Sequence, residues 1–216
     1  MGTLRLIAIT LLLLLQLMPA DAQTKLWIQS GPNYSWLRYK NTDNSFFPRK
    51  YFEHAAAASV QWSFSLQQPI FNEHLSVQAG LQGTVKKYLI QFPSFLNSNE
   101  YEPHHLFYFE LPIAVQAEVL PGIRLETGMA ISHLVNEYRK ETRMISSEDR
   151  FDLNWLAGIQ WSLGSRWGVQ LRYTHGLVPL ATLSTFVDAP VGGNQFEQQW
   201  FNRSLQLGLA YALVEQ

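Results

Sequence analysis

Ser204-Leu205-Gln206-Leu207-Gly208-Leu209-Ala210-Tyr211-Ala212-Leu213 is the stretch on which the fold turns. Leu205, Leu207, Leu209, Tyr211 and Leu213 fall on one face of an extended chain. Ser204, Gln206, Gly208, Ala210 and Ala212 fall on the other. A strict period of two marks a strand with one apolar face. The second face is the informative one. A strand on the outside of a water-soluble sheet would turn Lys and Glu to solvent. This face carries small and uncharged residues instead, which fit the inside of a narrow closed sheet.

The pattern recurs upstream. Phe151 to Leu163 alternates with Asp152, Asn154, Leu156, Gly158, Gln160 and Ser162 inward. Phe107 to Val119 alternates with Tyr108, Glu110, Pro112, Ala114, Gln116 and Glu118. Leu75 to Lys86 and Ser59 to Leu66 repeat it. Leu26 to Tyr39, bent at Gly31-Pro32, Ile123 to Asn136 and Trp167 to Leu177 complete a set of eight strands. An even number suits a closed bacterial barrel.

The connections alternate in length. Residues 67–74, 120–122 and 164–166 are short. Residues 40–53, 93–104, 137–150 and 179–199 are long. Outer-membrane barrels have short periplasmic turns and longer extracellular loops. Both chain ends are therefore expected on the periplasmic side. Charge gathers in the long connections, as in Glu137, Arg139, Lys140, Glu141 and Arg143, because charge at mid-membrane is costly. Trp36, Tyr39, Tyr88, Phe92, Phe107, Trp155 and Trp200 are expected in one interfacial girdle. Trp27, Trp161, Trp167 and Tyr211 are expected in the other.

Composition agrees. The chain is 47% hydrophobic and 13% aromatic but only 15% charged, against about 25% charged in ordinary globular chains. At the N-terminus, Arg5, the apolar run Leu6 to Leu17 and Ala20-Asp21-Ala22 have the order of a secretory signal. Cleavage is expected after residue 22, leaving 23–216 as the barrel domain. The run is shorter than the roughly 20 residues of a spanning helix. The chain has no Cys, so neither a disulfide nor a lipid anchor on cysteine is expected. Its net charge of -1 gives no basic excess for nucleic acid.

The reading is thus an all-β, eight-stranded, antiparallel up-and-down transmembrane β-barrel. An eight-stranded lumen is filled by side chains, so a wide diffusion pore is not expected. The inward charges are Lys86, Glu110, Glu118, Arg124, Glu126, Asp152 and Arg172. Buried charges need partners, and these seven are expected to form a paired network that packs the lumen. Pro112 falls mid-strand, where it removes a ladder donor, so a bulge is expected there. The chain ends on Glu215-Gln216 rather than on an aromatic residue, and its nearest aromatic is Tyr211.

Four segments together resemble the PorT-like outer-membrane barrels of Bacteroidetes-type bacteria. They are Tyr108-Phe109-Glu110-Leu111-Pro112, Asp152-Leu153-Asn154-Trp155-Leu156-Ala157-Gly158, Arg172-Tyr173-Thr174-His175-Gly176-Leu177 and Arg203 to Tyr211. The resemblance implies an integral outer-membrane protein. It also makes Pro112 a family habit. One member of the group is similar to an accessory factor for protein secretion. The group has no agreed functional residues to carry over.

Motifs for catalysis are sparse. No Gly-x-Ser-x-Gly, His-Glu-x-x-His or phosphate-cradling loop occurs. Glu100-Tyr101-Glu102-Pro103-His104-His105 is read as loop polarity rather than a metal site. Ser132-His133 brings to mind lipid-processing barrels but lacks a third group. No catalytic residue, metal or cofactor is assigned. The expected partners are outer-membrane lipid, the barrel-assembly machinery during insertion, and a protein reached through the long loops or the periplasmic turns. A structural or interaction role leads, with a lipid-modifying enzyme and a narrow ion or solute conduit as alternatives.

Overall fold

The computed structural model describes residues 24–41, 53–72, 74–91, 102–138, 150–187 and 194–215. Residues 1–22, expected as a signal, Phe92 and much of the long connections lie outside them. The described residues form β1 (Lys25–Asn41), β2 (Glu53–Asn72), β3 (Leu75–Gln91), β4 (Glu102–Leu120), β5 (Ile123–Tyr138), β6 (Phe151–Leu163), β7 (Trp167–Gly176), β8 (Ala181–Val187) and β9 (Asn194–Glu215). Each neighbouring pair is antiparallel. β9 pairs with both β7 and β1, which closes the sheet on itself. Closure joins the first strand to the last and removes most of the unpaired backbone groups that lipid would penalise.

The ring has eight strand positions, because β7 and β8 share one. β7 pairs with β9 up to His175 against Arg203, and β8 takes over the same flank of β9 from Ala181 against Trp200. Between them, Leu177 donates to the Leu153 carbonyl and Leu180 to that of Trp200, at 2.7 and 2.6 Å. The connection expected over residues 179–199 therefore contains strand. Other strands also exceed the sequence reading, and β2 starts at Glu53 and runs to Asn72. Beyond the bilayer no solvent contrast enforces alternation, so Ala55-Ala56-Ala57-Ala58 carries no period to read. The turns at 121–122 and 164–166 are tight, with Gly122 and Gly164 at φ 78° and 89°. Glycine adopts that region without the Cβ clash.

Pro112 makes no bulge. It stays in register with Ala130 of β5, and β3 pairs on either side of it without a shift (Ala79 with Ile113, Gln82 with Glu110). The missing donor faces β3 and simply leaves a gap in that ladder. Likewise, Gly31 and Pro32 keep their pairing to Gln61 and Val60 of β2 while lacking partners on β9. The real shifts lie elsewhere, one of them between Ala56 and Gln61. There the Val85 carbonyl is met by side chains: Asn33 Nδ2 donates to it at 3.0 Å, and Ser59 Oγ donates as well.

Polarity is inverted relative to a soluble protein. Val60, Leu81, Val115, Ile131, Leu171 and Leu209 are exposed, whereas Gln61, Gln82, Gln116, Ser132, Arg172 and Gln206 are buried. Outward Arg38 on β1, Lys87 on β3, His105 on β4, His175 on β7 and Arg203 on β9 mark the belt's edge at the end of the long connections. These positions are level, since Lys87 pairs with His105 and His175 with Arg203. The apolar reach from Leu205 to Leu213 fits the roughly 9–11 residues that a tilted strand needs to cross a bilayer.

Candidate functional site

The lumen holds the chemistry, and strand register decides which side chains meet there. At mid-barrel, Glu126 of β5 pairs with Gly158 of β6, and Gly158 pairs in turn with Arg172 of β7. A Cβ on residue 158 would lie 2.5 Å from Glu126 Oε1. Glycine leaves that space open, and the two charged side chains meet across it. Arg172 Nε donates to Glu126 Oε1 at 2.8 Å and Nη2 donates to Oε2 at 3.1 Å. This two-pronged arrangement is the strongest form of the pair.

Glutamines complete the layer. Gln170 and Gln116 donate to Glu126 Oε2 at 2.9 and 3.3 Å. Gln116 also reaches Gln78 and Gln160 at 2.8 and 3.1 Å. Arg172 Nη1 lies 3.4 Å from Gln82 Oε1. Desolvating two ions is costly, and the cost is offset only when remaining lone pairs and protons find partners. Amide side chains supply them here, with no further charge.

Towards the long connections, Lys86 Nζ lies 2.7 Å from Glu110 Oε1 and 4.5 Å from the centre of the Tyr108 ring. Gln82 Nε2 donates to Glu110 Oε2 at 3.1 Å. Asp152 has no ion-pair geometry of this kind among the described residues. Its Oδ2 accepts from Asn202 at 2.9 Å, and Tyr88 donates to Asn202 Oδ1 at 2.6 Å. Above them an apolar layer crosses the lumen, including Leu37, Leu106, Leu134, Leu180 and Trp200. At the opposite mouth, Trp27 packs with Ala210 and Ala212, its indole donating to Gln67 at 2.9 Å.

The seven charges singled out in the sequence therefore separate into groups. Glu126 with Arg172 and Lys86 with Glu110 are buried ion pairs. Glu118 and Arg124 pair at 3.3 Å, but at the short-turn mouth and partly exposed. Glu118 also accepts from the Gly122 amide at 3.2 Å, which ties it to the turn. Asp152 joins an amide–phenol chain instead.

Three girdle assignments fail. Trp27, Tyr88 and Trp200 are buried in the lumen, at 3%, 1% and 3% exposure. Parity was the available signal, since they share faces with Gln29, Lys86 and Asn202. Ser132 and His133 point to opposite faces. Ser132 is buried and accepts from Asn154 at 2.9 Å, while the His133 ring packs 4.7 Å from Phe151. They cannot act as a nucleophile and base. His104 and His105 diverge in the same way. Among the described residues no three His, Asp or Glu side chains gather as a metal site. A cavity of about 10 Å³ beside Arg172, lined by Gln29, Ser63, Ser65, Gln78, Pro112 and Ala114, has room for about one water.

Residues 22–181 match the family model described as the outer membrane protein beta-barrel domain. The chain belongs to that family. No curated protein sequence matches this outer-membrane barrel. Among solved structures it is similar to outer membrane protein OprG from Pseudomonas aeruginosa, with a TM-score of 0.53 at 11% identity, over 89% of this chain and 97% of that one. It is also similar to outer membrane protein AlkL determined in lipid bilayers, with a TM-score of 0.50 at 13% identity, over 90% of this chain and 93% of that one. At such identities the likeness shows the fold: a closed eight-stranded antiparallel barrel of the bacterial outer membrane.

Proposed function

We propose that this outer-membrane barrel is a sealed scaffold that presents its long connections to a protein partner. The observation that carries the reading is the lumen of the described residues: an ion-paired polar centre between apolar layers, across which Arg172 bonds Glu126 and Gln82 bonds Gln206. A lumen so filled offers no route to a solute, so activity belongs to the rims. The resemblance to PorT-like barrels supports a secretion apparatus as the source of that partner. The alternation of short turns with long connections supports a periplasmic position for both chain ends, reached after loss of residues 1–22.

Two measurements test this. The mature protein in planar bilayers is expected to give no stepwise current, and a reproducible unit conductance overturns the sealed scaffold. In the producing cell, deletion of the protein is expected to alter the set of secreted proteins. A barrel whose 42–52, 92–101 and 139–149 segments are replaced by short Gly-Ser turns should insert without restoring secretion. Full restoration by that trimmed barrel overturns the interaction role.

A further inference from the structure

We infer that the outer wall of the barrel carries a binding site for the phosphate of an anionic membrane lipid, built by Arg38 and Arg203. The site lies at the belt edge where β1, β9 and β7 run side by side. Two rows cross these strands. Trp36 pairs with Arg203, and Arg203 with His175. One step towards mid-membrane, Tyr34 pairs with Leu205, and Leu205 with Tyr173. All six residues face outward, opposite in parity to the buried Ser35, Ser204 and Thr174.

The two arginines are the core of the site. An outward Arg at the edge of a lipid belt costs little by itself, and at that depth the group that answers its charge is an anionic headgroup. Among the described residues no carboxylate pairs with either one. Arg203 Nε donates to His175 Nδ1 at 3.1 Å. That nitrogen accepts and so carries no proton, which makes the contact an aiming device rather than a charge pair. It fixes the guanidinium and leaves both terminal nitrogens of Arg203 available. Arg38 stands diagonally across from Arg203, since its direct partner is Phe201. Diagonal neighbours lie roughly 7–8 Å apart at the backbone, within reach of long side chains. Arg38 is also near enough for its charge to act on His175.

The surroundings specify a lipid rather than a free ion. Trp36 and Tyr173 rings lie 6.1 Å apart, Tyr34 and Trp36 6.2 Å, and Trp155 and Tyr173 6.4 Å. Aromatic rings of this kind settle at headgroup depth. Below them Leu205, Leu207 and Leu209 continue as an apolar strip. A phosphate held by two arginines, with its acyl chains along that strip, satisfies both halves of the surface. Arg is suited to the task because its planar fork matches phosphate oxygens. The inference needs only an outer-membrane barrel and does not rest on the interaction role.

The test is native mass spectrometry of the folded barrel released from detergent, with dioleoyl phosphatidic acid as probe. Dioleoylglycerol, which has the same chains without phosphate, and inorganic phosphate serve as comparisons. Phosphatidic acid should bind wild type at least tenfold more tightly than dioleoylglycerol. Inorganic phosphate at millimolar concentration should leave the adduct in place. The double variant Arg38→Gln, Arg203→Gln should lose at least tenfold, whereas Arg166→Gln at the other end should not. Equal binding of the two lipids by wild type overturns the site, and this comparison needs no variant to fold. So does undiminished binding by a double variant that still shows heat-modifiable migration, or displacement by inorganic phosphate alone.

Discussion

Glu126 and Arg172 sit two strands apart and nevertheless form a two-pronged ion pair, because the residue between them on β6 is Gly158. The pair is thus written by three strands at once. Its strength depends on an absent side chain as much as on the charges.

Gly158→Ala should therefore weaken the barrel although alanine is small and the strand is regular. The new Cβ meets Glu126 Oε1 at 2.5 Å and the Leu171 carbonyl oxygen at 2.6 Å. Overpacking of this sort costs about 1–3 kcal/mol. Urea titration of the folded fraction in lipid vesicles measures it, with the gel shift on heating as the readout.

Removing one partner of the buried pair should cost more. Arg172→Gln leaves the buried Glu126 carboxylate without its cation, a loss of about 3–5 kcal/mol. The double variant Glu126→Gln, Arg172→Gln should recover part of that loss, because no charge is then stranded. A double-mutant cycle by urea titration gives the coupling, and strictly additive losses would contradict the pairing.

Trp200→Ala should destabilise without opening a pore. Trp200 is 3% exposed in the apolar layer, and deleting a buried Trp costs about 3–5 kcal/mol. The Glu126–Arg172 layer beneath still fills the lumen. Bilayer recordings should remain silent while urea midpoints fall.

Charge on the outward face should matter by depth. Leu209→Arg places a cation near mid-belt and should cost about 2–4 kcal/mol, against about 0–1 kcal/mol for Leu213→Arg near the belt's end. Equal penalties would place the belt elsewhere on β9.

Orientation is open to direct labelling because the chain has no Cys. Ser98→Cys, in a long connection, should react with an impermeant maleimide on intact cells. Ser165→Cys, in a short turn, should react only after the outer membrane is broken. The reverse result would invert the barrel.

Sequence and structure agree most closely where lipid imposes a rule. From Leu205 to Leu213 each outward position must be apolar, and the period shows it. The same parity placed Glu110, Glu126 and Arg172 on the inner face. Partnership was less legible. That Arg172 meets Glu126 while Asp152 meets Asn202 depends on strand register, which no single segment encodes. Trp27, Tyr88 and Trp200 were assigned by their chemistry as aromatics, against the parity of their own strands. β8 lies past the belt edge, where the rule no longer operates. Pro112 was expected to distort the ladder, but the loss of one donor is absorbed by leaving Gly80 and Leu81 unpaired on that side.

The seam between β1 and β9 has a kinetic meaning. It joins the two ends of the described chain along a ladder from Lys25–Glu215 to Asn41–Gln198. Gln82 and Gln206, bonded at 3.2 Å, are 124 residues apart in sequence. Until the last strand arrives, both margins of the curling sheet are raw and the centre has lost a wall. Contacts of such long range slow a folding reaction. Survival of the nascent chain thus hinges on how quickly its beginning finds its end, and any factor that shields those two margins in the interval sets the yield.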